Sequence, residues 1–111
     1  MTARNVVIVG AGIAGPVAAL ALQKIGVEAT IYEAYETTAH GVGALLGIAS
    51  NGLDALRTLG VHEAVKAAAI PTSHMMMWNS AGKRLGEADT GTALADGTVN
   101  VTMKRADLFA A

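Results

Sequence analysis

Apolar residues run unbroken from Val6 to Val9 and then recur at helical spacing as far as Leu22, with no charged side chain between Arg4 and Lys24. The first run predicts a strand buried on both faces, as a central parallel strand is. The second predicts a helix from about Gly12 to Lys24, with Ile13, Val17, Leu20 and Ala21 on its inner face. Pro16 falls in the first turn, where a missing N–H breaks no helical bond. Gly26 stands just past the end. Val27 to Glu33 then alternates, placing Val27, Ala29 and Ile31 on one face of a second strand.

The later chain is less regular. Ala34 to Gly47 has no period and turns glycine-rich (HGVGALLG), which predicts either a flexible loop or backbone that Gly41, Gly43 and Gly47 let pass close to something flat. Leu53, Leu56 and Leu59 mark a helix capped by Ser50 or Asn51 and ended by Gly60. Val61 to Ala69 continues as a shorter helix, and Pro71 marks the break after it. His74 to Asn79 and Lys83 to Ala88 flank the turn Ser80-Ala81-Gly82 and predict a β-hairpin. Its run Met75-Met76-Met77-Trp78 is apolar on both faces and should be covered. Asp89 to Gly97 predicts a loop. Thr98 to Met103 predicts a strand with Val99, Val101 and Met103 on one face, and Arg105 to Ala111 starts a helix that no glycine closes. The fold class is α/β: a Rossmann-like parallel core of three strands with a hairpin arm.

The turn between the first strand and helix carries the chemistry. Gly10, Gly12 and Gly15 form G-x-G-x-x-G, followed by an acid, Glu33, with seventeen residues between Gly15 and Glu33. Strand, glycine turn, helix, strand and acid come in the order a dinucleotide site needs. Gly10 lets the chain turn out of the strand, Gly12 lets a pyrophosphate approach the backbone, and Gly15 lets the helix pack close to the sheet. Free N–H groups of the first helical turn and the positive end of its dipole then face the phosphates. Glu33, at the tip of the second strand, can accept hydrogen bonds from ribose hydroxyls and would repel a 2′-phosphate. That leaves FAD or NAD, and the motif does not choose between them.

Composition narrows the alternatives. Charged residues are 15% of the 111, against roughly 25% in a typical soluble domain. The net charge is −1, and no basic patch or basic amphipathic face points to nucleic acid or a membrane surface. With no cysteine, thiolate metal sites and disulfides are excluded. His40, His62 and His74 are too dispersed to read as metal ligands. The uncharged N-terminal run is slightly short for a membrane span and is broken by glycines and Pro16 in phosphate-turn order. A mature, cytoplasmic protein is therefore expected. Lys104 and Arg105 sit at a helix start, where positive charge opposes the dipole by about 0.3–1 kcal/mol. Either they are a solvated charge pair or an anionic ligand lies near them.

Taken in order, four blocks resemble the flavin-dependent aromatic hydroxylases, the single-component monooxygenases that include salicylate and p-hydroxybenzoate hydroxylases. They are VVIVGAGIAGPVAALALQKIGVEATIYEA, GVGALLGIASNGLDALRTLGV, MMMWNSAGKRLGEA and MKRADLFAA. The resemblance implies that Gly10, Gly12, Ile13, Ala14 and Gly15 hold the pyrophosphate of FAD through backbone. It implies that Glu33, with Ala34 beside it, binds the adenosine ribose, that Gly43 and Ala44 lie along the ribityl chain or near the flavin ring, and that Arg105 contacts FAD. It implies no catalytic acid, base or nucleophile and no metal ligand within these residues. Ala39-His40 stand where family members often carry an arginine, so no contact is carried over to that loop.

In the intact enzyme NAD(P)H would reduce the flavin, which would then use oxygen to hydroxylate an aromatic or similar electron-rich small molecule. These hydroxylases are several times longer, so residues 1–111 are expected to be the N-terminal portion of a larger FAD/NAD(P)-binding fold, lacking the later FAD-binding segment and the substrate domain. The apolar Met75–Trp78 strand predicts self-association or a complementary partner chain. Two other readings remain open: another FAD oxidoreductase or NAD-dependent dehydrogenase with the same turn, or a non-catalytic fragment.

Overall fold

A computed structural model describes residues 5–36 and 43–111 of the chain. The expectations for Gly41 and for Ala39-His40 lie outside the described residues. Strand β1 (Asn5–Val9) leads through the glycine turn into helix α1 (Ala14–Lys24) and strand β2 (Glu28–Tyr32). β1 and β2 pair in parallel, Val9 beside Tyr32, so the first unit is the expected βαβ. Ala29 and Ile31 share the less exposed face of β2, as the alternation predicts, and Val27, expected in the strand, falls just before it.

Two expectations for this unit need correction. The parallel sheet has two strands among the described residues, not three. β1 is also covered on one face only: Val7 is 65% and Val9 88% exposed. An all-apolar strand signals two covered faces, but α1 lies against one face of this sheet and Val7 and Val9 on the other stay exposed. α1 itself is lightly seated. None of its residues is fully buried, and Leu20 and Ala21, expected inside, are exposed. An apolar pocket of about 320 Å³, lined by Val17, Leu20, Leu56, Val65, Leu108 and others, opens between α1 and the helices beyond it. The Lys24 ammonium bridges the gap at one end by donating to the Thr58 carbonyl.

The core proper lies further along the chain. Strand β3 (Leu45–Ile48) is followed by α2 (Ser50–Leu59), α3 (His62–Ala67), the two-residue β4 (Ile70–Pro71), the hairpin β5 (His74–Trp78) and β6 (Arg84–Asp89), then β7 (Val101–Lys104) and α4 (Arg105–Ala110). β7 is the middle of an antiparallel sheet ordered β3-β7-β4. Leu53, Val65, Val101 and Met103 are buried together, and Ile48, Leu56, Ala69 and Leu108 pack on them. β7 alternates as a half-buried strand should, Val101 and Met103 inward and Thr102 outward, where its hydroxyl accepts from Thr72 at 2.9 Å.

The antiparallel sheet corrects several boundaries. Leu45 to Gly47, read as the end of a loop, belong to strand β3 because β7 supplies its hydrogen-bonding partner. Val99 falls before the strand expected to contain it, and Pro71, read as a break, pairs with β7 together with Ile70. Neither Ser50 nor Asn51 holds the cap position of α2, although Asn51 Oδ1 accepts the Gly52 N–H at 2.9 Å within the first turn. Ala49 holds the cap position without a side-chain bond. The Ser50 N–H instead donates to Asn100 Oδ1 at 2.8 Å, and the Ser50 hydroxyl donates to the Thr92 carbonyl at 2.9 Å. Asn100 also donates to the Thr90 carbonyl. One distant amide thus does the work of a local cap, which short-range spacing does not reveal. The hairpin forms as predicted, with a bulge between Met77 and Trp78. Its apolar run, however, stands exposed among the described residues.

A carboxylate clasp holds the loop before β7. Asp96 accepts the Thr98 N–H at 2.9 Å and the Arg57 guanidinium of α2. The Thr98 N–H, then the Thr98 hydroxyl and Arg57, hold the Asp96 pKa down to about 2 from an ordinary 3.8. A depressed carboxyl pKa adds stability that is complete above the ordinary value and lost as pH falls through the folded one. Acid unfolding followed by circular dichroism is therefore expected to steepen between 3.8 and about 2, and Asp96→Asn should flatten that limb. An identical acid limb in the variant would remove Asp96 from the account.

Candidate functional site

The parallel register builds the site. With Val9 beside Tyr32, Gly10 comes next to Glu33, and the Gly10 N–H donates to the Tyr32 carbonyl at 2.7 Å. Gly10 takes φ +100°, which a side chain disfavours, and this turns the chain out of β1. Gly15 serves the close packing expected of it: a Cβ there would stand 2.1 Å from the Gly10 carbonyl oxygen and 3.4 Å from Ile8. Gly12 differs. A Cβ there would meet nothing nearer than Arg105 Nη2 at 3.7 Å, so the absence of a side chain leaves open space above the turn.

α1 begins at Ala14, two residues later than its pattern predicts, and no side chain caps it. The N–H groups of Gly12, Ile13, Ala14 and Gly15 have no acceptor among the described residues. Pro16, in the next position, has no N–H to satisfy. Orphan donors at a helix start, with the dipole behind them, form an anion site.

Glu33 closes one side of the turn. Its carboxylate accepts the Ala11 N–H at 2.6 Å and the Tyr35 N–H at 3.0 Å. The Ala11 bond chiefly, then the Tyr35 bond, holds its pKa below the ordinary range. Glu33 is therefore ionised at neutral pH and fixed at the tip of β2. It is also exposed, which leaves its remaining lone pairs open to a ligand's hydroxyls. Ala34 follows it, exposed at the bend.

Arg105 closes the other side, brought there by the antiparallel sheet. Pairing of Leu45 with Lys104 sets the next residues together, and the Arg105 N–H donates to the Ala44 carbonyl at 3.2 Å. The side chain runs past Gly43, where a Cβ would stand 3.3 Å from Arg105 Cδ. Gly43 also takes φ +106°, a conformation that favours glycine. The guanidinium ends above Gly12, half-buried and without an ion pair among the described residues.

Of the residues singled out in the sequence, Gly10, Gly12, Ile13, Ala14, Gly15, Glu33, Gly43, Ala44 and Arg105 converge on one turn. Ala34 adjoins it through Glu33. Ala11 and Tyr35 were missed as the donors that hold Glu33. Their role rests on backbone N–H groups, which residue identity does not mark.

The arrangement fits a dinucleotide pyrophosphate: N–H donors and a guanidinium without partners among the described residues, a floor without a side chain, and a carboxylate fixed at the tip of β2. Comparison with known proteins agrees. The profile of the FAD binding domain family matches residues 3–107. The FAD-dependent urate hydroxylase of Mycolicibacterium vanbaalenii is 47% identical over 59 residues, covering 53% of this chain and 15% of that protein. The 3-hydroxybenzoate 6-hydroxylase of Klebsiella oxytoca is 34% identical over 108 residues, covering 94% of this chain and 27% of that protein. The crystal structure of Klebsiella pneumoniae HpxO complexed with FAD and uric acid shares the fold with a TM-score of 0.76 at 24% identity, over 96% of this chain and 27% of that one. This chain thus spans about a quarter or less of the length of these proteins. No helix among the described residues is long and apolar enough to cross a membrane.

Proposed function

Because the chain belongs to the FAD binding domain family, we propose that it forms the FAD-binding portion of an NAD(P)H-dependent flavoprotein monooxygenase that hydroxylates an aromatic or similar electron-rich small molecule. The names of its relatives as hydroxylases support the reaction class. The observation that carries the cofactor reading is the Arg105 guanidinium held over Gly12, beside the N–H groups of the first turn of α1, both without partners among the described residues.

In this reading the N–H groups of Gly12, Ile13, Ala14 and Gly15 hold the pyrophosphate, with Gly10 shaping the turn. Arg105 neutralises charge from the opposite side. Glu33, steadied by the Ala11 and Tyr35 N–H groups, takes the adenosine ribose next to Ala34. Gly43 and Ala44 supply a side-chain-poor edge along which the ribityl chain passes toward the flavin. FAD supplies the redox and oxygen chemistry. The residues of this chain bind and orient it, and none of them is assigned a proton transfer.

An FAD titration of the 111-residue chain, followed by flavin fluorescence with NADH as competitor, tests this. Saturable FAD binding that NADH does not reverse is expected. Preferential binding of NADH would favour a dehydrogenase, and no FAD binding by a folded chain would remove the self-sufficient cofactor module. Glu33→Ala should weaken FAD binding by about 1–3 kcal/mol, the usual effect of losing hydrogen bonds to a charged group. Unchanged affinity in that variant would take the ribose away from Glu33.

A further inference from the structure

The β5–β6 arm takes no part in the site described above, yet it carries an unusual surface. Met75, Met76 and Met77 are 50%, 58% and 43% exposed, whereas Met103 in the core is 3% exposed. The register explains why these thioethers are uncovered. Met75 lies opposite Ala88 and Met77 opposite Gly86, so on that face the partner strand offers only small residues. Met77 Cε lies 3.7 Å from where a Gly86 Cβ would stand, over a position that carries no side chain. Met76, on the other face, lies opposite Glu87. Thioether sulfur is soft and nucleophilic, and when exposed it is readily oxidised.

We propose that Met75, Met76 and Met77 form an oxidative modification site that hydroperoxides convert to sulfoxides, turning the apolar arm polar. In each step a sulfur lone pair attacks one peroxide oxygen. The S–O bond forms as the O–O bond breaks, the sulfur loses two electrons, and the departing oxygen takes up the proton of the transferred one and leaves as water from hydrogen peroxide or as an alcohol from an organic hydroperoxide. A sulfoxide is a strong hydrogen-bond acceptor, so each conversion removes apolar surface without altering the strand's backbone pairing. Met103 is protected because its sulfur meets solvent only when the core opens. The proposal does not depend on the flavin reading, because the oxidant is added from outside.

The test is exposure of the whole chain, without FAD, to hydrogen peroxide, followed by peptide mass mapping with Met103 as the internal control. One oxygen on each of Met75, Met76 and Met77 is expected, gained about tenfold or more faster than on Met103. Binding of an apolar dye should fall in step, and methionine sulfoxide reductases should restore it. The triple variant M75L/M76L/M77L keeps the arm apolar, so its dye binding should persist and ignore peroxide. Oxidation of Met103 at the same rate, an unmodified triplet in a folded chain, or a peroxide response that survives in the leucine variant would each overturn the proposal.

Discussion

Replacing Gly15 with alanine is expected to unseat α1 from β1 and to abolish FAD binding with it. The added Cβ would lie 2.1 Å from the Gly10 carbonyl oxygen and 3.3 Å from the Gly10 carbonyl carbon. Both atoms are backbone, in a turn whose φ of +100° leaves little room to adjust, so no side-chain rotation relieves the clash. Relief requires α1 to move, and little holds α1 in place: none of its residues is fully buried, and an apolar pocket opens between it and the main core. Overpacking commonly costs about 1–3 kcal/mol, and a clash between backbone atoms should reach the top of that range. Against a total stability of roughly 5–15 kcal/mol for a domain, that loss is large. Urea denaturation followed by circular dichroism should show a lower midpoint, and FAD titration should show no saturation. An unchanged midpoint would mean that the helix does not rest on the turn.

The sequence made the first unit legible because every signal there is local. An apolar run, three glycines, a helical period and an alternating strand lie within residues 6–33, and the parallel register places Glu33 beside the turn. The second half of the site was legible only in part. Arg105 stood out because a cation at a helix start is locally unfavourable. What brings it to Gly12 is the pairing of Leu45–Ile48 with Val101–Lys104, between segments more than fifty residues apart. Nothing in HGVGALLG announces that partner, so the segment reads as loop. The same limit hid Asn100, which takes the Ser50 N–H from the far side of the chain. It also misled the reading of β1: four apolar residues state what the strand can bury, and the described residues cover one side. Local pattern fixes elements, and long-range pairing decides which of them meet.

Gly12→Val provides the complementary result: the fold kept and FAD binding lost. A Cβ at Gly12 meets only Arg105 Nη2, at the ordinary contact distance of 3.7 Å, and the backbone there does not take the positive φ that a side chain would resist. Stability should therefore stay within about 0.5 kcal/mol of the parent chain, as for substitutions that create no clash, cavity or unpaired group. The branched side chain would nevertheless fill the space above the free N–H groups and push the guanidinium aside. Hydrogen bonds to a charged group contribute about 1.5–3 kcal/mol each. Losing two of them weakens binding by at least about 100-fold, and Gly12→Ala should fall between valine and the parent. Measured together, the two glycines separate architecture from recognition: Gly15→Ala lowers the urea midpoint and FAD affinity, Gly12→Val lowers affinity alone. A Gly12→Val chain that binds FAD as tightly as the parent would move the pyrophosphate away from this turn and leave Arg105 as a surface charge.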